Sequence, residues 1–83
     1  MKKAKKIRII INSADDVIFK VGNSKKVEIS KNKNGTYHCF LLTSPHRGFG
    51  GDCETYDEAE SIAVEYTASI YNYNVYFEKV VNY

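Results

Sequence analysis

One stretch of this 83-residue chain carries helical spacing, and the runs around it read as strands, so any sheet they build can be covered by a helix on one face only. The stretch opens at a capping box, where the Thr55 hydroxyl satisfies a free backbone donor and the Glu58 carboxylate reaches back. Ala59, Ile62, Ala63, Tyr66, Ile70 and Tyr73 then recur on one stripe. This spacing predicts a helix over about Tyr56 to Asn72, with Asn72 or Asn74 ending it in a left-handed conformation.

Strand signals fill the first half. Lys6 to Asn12 alternates, with Ile7, Ile9 and Ile11 on one side and Lys6, Arg8 and Ile10 on the other. Val17 to Val21 follows the turn Ser13-Ala14-Asp15-Asp16, and Lys26 to Lys31 follows Gly22-Asn23-Ser24. Asn34-Gly35, lying between two strand-like runs, predicts a tight primed hairpin turn. The run after it, Thr36 to Thr43, is apolar on both sides and reads as a central or doubly covered strand. Residues 44–54 read as a loop by their breaker residues, and Val75 to Val81 as the last strand. The expected fold is α+β, an antiparallel four- to five-stranded sheet with one amphipathic helix packed on one face, in the order β-β-β-β-α-β. Counting strand directions makes the last strand antiparallel to the first, paired with it at the sheet edge.

A chain this short buries only ~60–65% of its unfolded surface, which makes residues 1–83 a single domain and leaves no material for a deep cleft. The basic start Met1 to Lys6 is followed by an apolar run, Ile7 to Ile11, that Arg8 interrupts and no cleavage site closes. A signal peptide needs ~7–15 apolar residues and a membrane span ~18, so the expectation is a cytoplasmic protein with no membrane association. Cys39 and Cys53 are then free thiols.

No motif specifies a reaction. Gly48-Phe49-Gly50-Gly51 precedes the helix, but no Gly-Lys-Ser/Thr follows, and Asp52, Glu54, Asp57 and Glu58 would repel a phosphate. His38, Cys39, His46 and Cys53 lack paired zinc-ligand spacing, and strand neighbours such as His38 and Cys39 point to opposite faces. Ser44, His46, Asp52 and Cys53 could supply a nucleophile and base only from a glycine-rich loop that holds little rigidly. No catalytic residue, metal or cofactor is therefore expected.

Charge is unevenly laid out. Residues 1–33 hold ten of the twelve basic residues and three of the ten acidic ones. Asp52, Glu54, Asp57, Glu58, Glu60 and Glu65 follow with no basic residue among them. These six form a candidate partner-binding acidic patch, unless the two halves attract one another within the fold. A second candidate is the uncovered sheet face. With Ile7, Phe19, Val27, Cys39 and Phe77 under the helix, the other face shows Phe40, Leu42, Tyr76 and Val80 beside Ile10 and Ile18. The expected partner is a protein with a basic nucleic-acid-binding surface, or a second copy of the chain. Direct nucleic-acid binding, through Lys2, Lys3, Lys5, Lys6 and Arg8, is the alternative.

Two resemblances bear on this. Asn34-Gly35, Tyr37 and Thr55-Tyr56-Asp57-Glu58-Ala59, within residues 33–69, resemble the three-stranded DNA-binding domains of arm-type integrases and plant ethylene-response factors. Those domains dock DNA through arginine-bearing strands, whereas this strand reads Tyr37-His38-Cys39-Phe40-Leu41. The whole chain is also similar in character to the phage-encoded anti-CRISPR proteins, being short, single-domain, without a catalytic motif and densely acidic from Asp52 to Glu65. That resemblance implies a non-enzymatic inhibitor whose acidic surface blocks a basic nucleic-acid site on a nuclease complex.

Overall fold

A computed structural model of the chain, describing residues 3–42 and 48–83, shows one helix on a six-stranded mixed sheet. The elements are β1 (Lys5–Ser13), β2 (Asp16–Val21), β3 (Ser24–Lys31), β4 (Tyr37–Leu41), β5 (Gly48–Cys53), α1 (Tyr56–Ile70) and β6 (Val75–Val81). In space the strands run β5-β4-β3-β2-β1-β6.

The order differs from the expected one by a single strand, and that strand changes the topology. Residues 48–53 pair antiparallel with β4 instead of forming a loop, while residues 44–47 lie outside the described residues. Glycines weaken a strand but do not forbid one. Adding β5 reverses the parity of the chain, so after the helical crossover β6 runs parallel to β1, Lys5 to Ile11 facing Val75 to Val81. Parallel neighbours need such a crossover, and here α1 spans the whole sheet from one edge strand to the other.

The hairpin at Asn34-Gly35 also departs from a two-residue primed turn. Gly35 N–H donates to the Asn32 carbonyl at 3.1 Å, and Asn32 N–H donates to the Thr36 carbonyl at 2.7 Å. Gly35 alone in this turn takes a positive φ, +90°. This is the longer hairpin loop that ends on a left-handed glycine. The Asn34 carboxamide oxygen braces it by accepting from the Thr36 N–H and hydroxyl.

The helix begins as the sequence indicates: Thr55 caps it by accepting from Glu58 N–H at 3.2 Å. It ends at Ile70, with Asn72 and Tyr73 both left-handed (φ 55° and 63°) and Tyr73 N–H returning to the Ala68 carbonyl at 2.8 Å. The face it turns inward matches the expected stripe only in part, at Ala59, Ala63 and the partly buried Tyr66. Ala59, Ala63, Thr67 and Ala68 are buried, whereas Ile62 and Tyr73 are exposed. Small side chains bring the helix axis close to the sheet, and Thr67 returns its hydroxyl to the Ala63 carbonyl at 2.8 Å, so its burial leaves no free donor.

Beneath the helix lie Ile7, Ile9, Val17, Phe19, Val27, Ile29, Cys39 and Cys53, all buried, with Phe77 packed edge-on against Phe19 at 6.3 Å. The inward set Ile7, Phe19, Val27, Cys39 and Phe77 is the expected one. β4 is an interior strand covered on one face only, since Phe40, between buried Cys39 and Leu41, is 40% exposed.

Candidate functional site

Cross-strand register turns the uneven charge of the sequence into a spatial one. Arg8 faces Lys20, and Lys20 faces Lys25. Lys6 lies two residues up the same strand, and Lys3 and Lys5 line a groove with Tyr71, Asn72 and Asn74 just beyond the helix. At the opposite end of the strands Asp16 faces Ser30, Ser30 faces His38 and His38 faces Asp52. The helix starts at this second end, Tyr56 packing edge-on against Tyr37 at 5.9 Å. Lys5, Lys6, Arg8, Lys20 and Lys25 therefore gather at one end of the sheet and Asp16 and Asp52 at the other, although Lys31, which faces Tyr37 beside Cys53, lies at the acidic end. Lys6 pairs instead with Glu78 of β6 at 3.4 Å, both side chains being exposed.

The six acidic candidates do not form one patch. Asp52, Glu54, Asp57 and Glu58 are exposed around the β5–α1 junction. The Cys53 thiol between them is pushed up by burial and then by the Glu58 and Asp52 carboxylates. Asp57 and Glu58 also face the positive end of the helix dipole, which stabilises them there. Glu60 turns the other way, half-buried toward Lys79 with 3.7 Å between Nζ and Oε2. Glu65 lies along the helix and accepts a 2.6 Å hydrogen bond from the Tyr73 hydroxyl. Asp52 itself is engaged: His38 Nδ1 lies 2.7 Å from its Oδ1, and the Asn32 amide donates to the same oxygen at 3.3 Å.

The four apolar candidates do share the face away from the helix. Phe40 and Leu42 stand on and just past β4, Tyr76 and Val80 on β6, with three strands between them. Ile10 and Ile18 bridge the gap, since Val80 faces Ile10, Ile10 faces Ile18 and Ile18 faces Glu28, which in turn faces Phe40. The open face is thus banded across its strands: cations at one end, an apolar row interrupted by Glu28 in the middle, and a polar row from Asn12 to Asp52 at the other.

Two features escape sequence reasoning. The His38–Asp52 pair depends on β5, whose trace in the sequence is the alternation of Asp52 and Glu54 around the inward Cys53. The turning of Glu60 inward depends on the helix phase, which the exposed Ile62 misplaces. Among the described residues no group of three or more His, Cys, Asp or Glu side chains is gathered to hold a metal ion. Among the described residues no helix is long and apolar enough to cross a membrane. Comparison with known protein families, curated proteins and solved structures finds no match to the chain.

Proposed function

We propose that this chain is a non-enzymatic protein-binding module, an inhibitor of a nucleic-acid-handling complex of the CRISPR type. It presents its acidic end to the basic surface on which the partner holds nucleic acid. The observation carrying this reading is the placement of Asp52, Glu54, Asp57 and Glu58 at one end of the molecule, away from the Lys6–Arg8–Lys20 end. Exposed carboxylates crowded together contribute little to stability, but they attract and orient a basic partner. The open sheet face, with Phe40 and Tyr76 40% and 52% exposed, supplies apolar area for that partner or for a second copy.

A panel of guide-loaded CRISPR effector complexes, each binding a labelled DNA duplex, tests the reading. The wild-type protein is expected to displace DNA from at least one of them. The combined variant Glu54→Gln, Asp57→Asn, Glu58→Gln is expected to do so at least tenfold less well, with a flatter salt dependence.

The cations at the other end favour a second reading, a small DNA-binding domain. Lys5, Lys6, Arg8, Val21 and Gly22 line one groove there, and Lys3 and Lys5 another, an arrangement suited to phosphates. Duplex binding by the protein alone at physiological salt, strengthened in the carboxylate variant and lost on neutralising Lys5, Lys6 and Arg8, would replace the inhibitor reading with this one.

A further inference from the structure

The helix enters over β4 and β5 and leaves the neighbouring ends of β1 and β2 uncovered. A groove of about 250 Å³ remains there. Ile11 and Val17 form its floor, the Tyr37–Tyr56 edge-to-face pair one wall, and Glu60 and Lys79 its polar rim. For scale, a cavity of about 150 Å³ accommodates a benzene ring.

Its polar atoms are held only loosely. Glu60 Oε2 and the Tyr56 hydroxyl oxygen are both shut off from solvent, and the hydroxyl turns toward the Glu60 carboxylate. The Lys79 ammonium stands 3.7 Å from Oε2, beyond hydrogen-bond length. Lys79 is also 58% exposed while the Glu60 side chain is 23% exposed, so the cation is a loose placeholder over a carboxylate that is mostly withdrawn from water. Burial first, then the hydrogen-bonding approach to Glu60 and the Glu60 and Asp57 charges, push the Tyr56 hydroxyl well above its ordinary pKa. The hydroxyl therefore stays neutral, and Glu60 and Lys79 are the charged side chains lining the groove.

We infer that this groove is the anchor pocket for an arginine side chain on the basic partner, which exchanges with Lys79 on Glu60. The inference rests on the protein-binding reading above and gives it a specific point of contact. A guanidinium fits the three features together. Its planar fork bonds a carboxylate through two parallel N–H groups, where an ammonium acts as a point charge. Its face stacks on tyrosine rings. Its three-carbon stem covers Ile11 and Val17. Arginine is also among the residues that dominate interface energetics when seated in a desolvated pocket.

Titrating N-acetyl-arginine amide into the ¹⁵N-labelled protein tests the inference by NMR, with N-acetyl-lysine amide alongside. Saturable shifts are expected at Ala14, Tyr56 and Glu60, with lysine at least threefold weaker. Glu60→Gln is expected to weaken arginine at least fivefold. Lys79→Met is expected to strengthen it at least threefold, because the internal competitor is gone. Shifts spread over every exposed carboxylate, or a Lys79→Met variant that binds no better than wild type, would overturn the inference, and the latter decides even where Glu60→Gln fails to fold. The two readings fail separately. The Glu54, Asp57, Glu58 variant leaves the groove residues in place, so DNA displacement without arginine binding in the groove removes the anchor alone. Arginine binding without displacement from any effector removes the CRISPR-type target alone.

Discussion

Cys39 shows how far burial, with a neighbouring thiol, can move an ionisable group in so small a core. Its thiol is pushed up from an ordinary 9.0 to about 11, by burial first and by Cys53 second. A raised folded-state pKa means that the neutral thiol stabilises the fold fully below about pH 9 and that this contribution is lost as the pH rises toward about 11. Chemical denaturation from pH 7 to 11 is expected to show wild type losing stability more steeply than Cys39→Ala over that window. A second residue under strain is Tyr73. Its φ of 63° is costly for a bulky side chain, and in return it keeps an exposed hydrogen bond to Glu65. Tyr73→Gly is expected to raise stability by about 0.5–1 kcal/mol, read as a higher denaturation midpoint. That a left-handed residue closes the helix was legible at Asn72; that Tyr73 joins it was not, because nothing in an isolated tyrosine announces a positive φ.

At the level of elements, the sequence carried the helix ends better than the helix face. Thr55 and Glu58 fixed the start by local chemistry, which needs no tertiary partner. The inward face is a tertiary matter. Ile62 is 37% exposed while Ala59 and Ala63 are fully buried, because a helix lying flat on a sheet packs closest through its small residues. Two substitutions separate the alternatives: Ala63→Leu is expected to cost about 1–3 kcal/mol by overpacking against the sheet, and Ile62→Ala less than about 1 kcal/mol. Thermal denaturation of both checks the order; a larger loss at Ile62 would restore the stripe that the hydrophobic pattern suggests. Strand β5 was hidden for the opposite reason, since its glycines carry breaker signals and its pairing with β4 is a non-local fact. Missing it concealed both the direction of β6 and the His38–Asp52 contact.

For the molecule as a whole, covering one face of six strands with one helix divides the side chains into those the fold needs and those it does not. Replacing Phe40 and Tyr76 together by Ser is expected to lower stability by less than about 1 kcal/mol while weakening any association of the sheet face, measured by sedimentation of the protein alone and with its partner. Phe19→Ala, on the covered face of β2, is expected to cost about 3–5 kcal/mol. The alternation in the sequence made that division legible; the separation of charge to opposite ends was not, because it needs the register of all six strands. The pairing of β6 with β1 carries one further consequence, in time. Asn82 and Asn12 are hydrogen-bonded across 70 positions of sequence, and Lys5 N–H donates to the Asn74 carbonyl at 2.8 Å. On a ribosome adding ~5–20 residues per second, β1 therefore emerges several seconds before the strand that shields its outer edge. During that interval β2 to β5 can assemble on its other side, and the nascent sheet shows unpaired backbone groups to any neighbouring chain. Crowded polysomes are thus the place where this small domain is most exposed to mispairing.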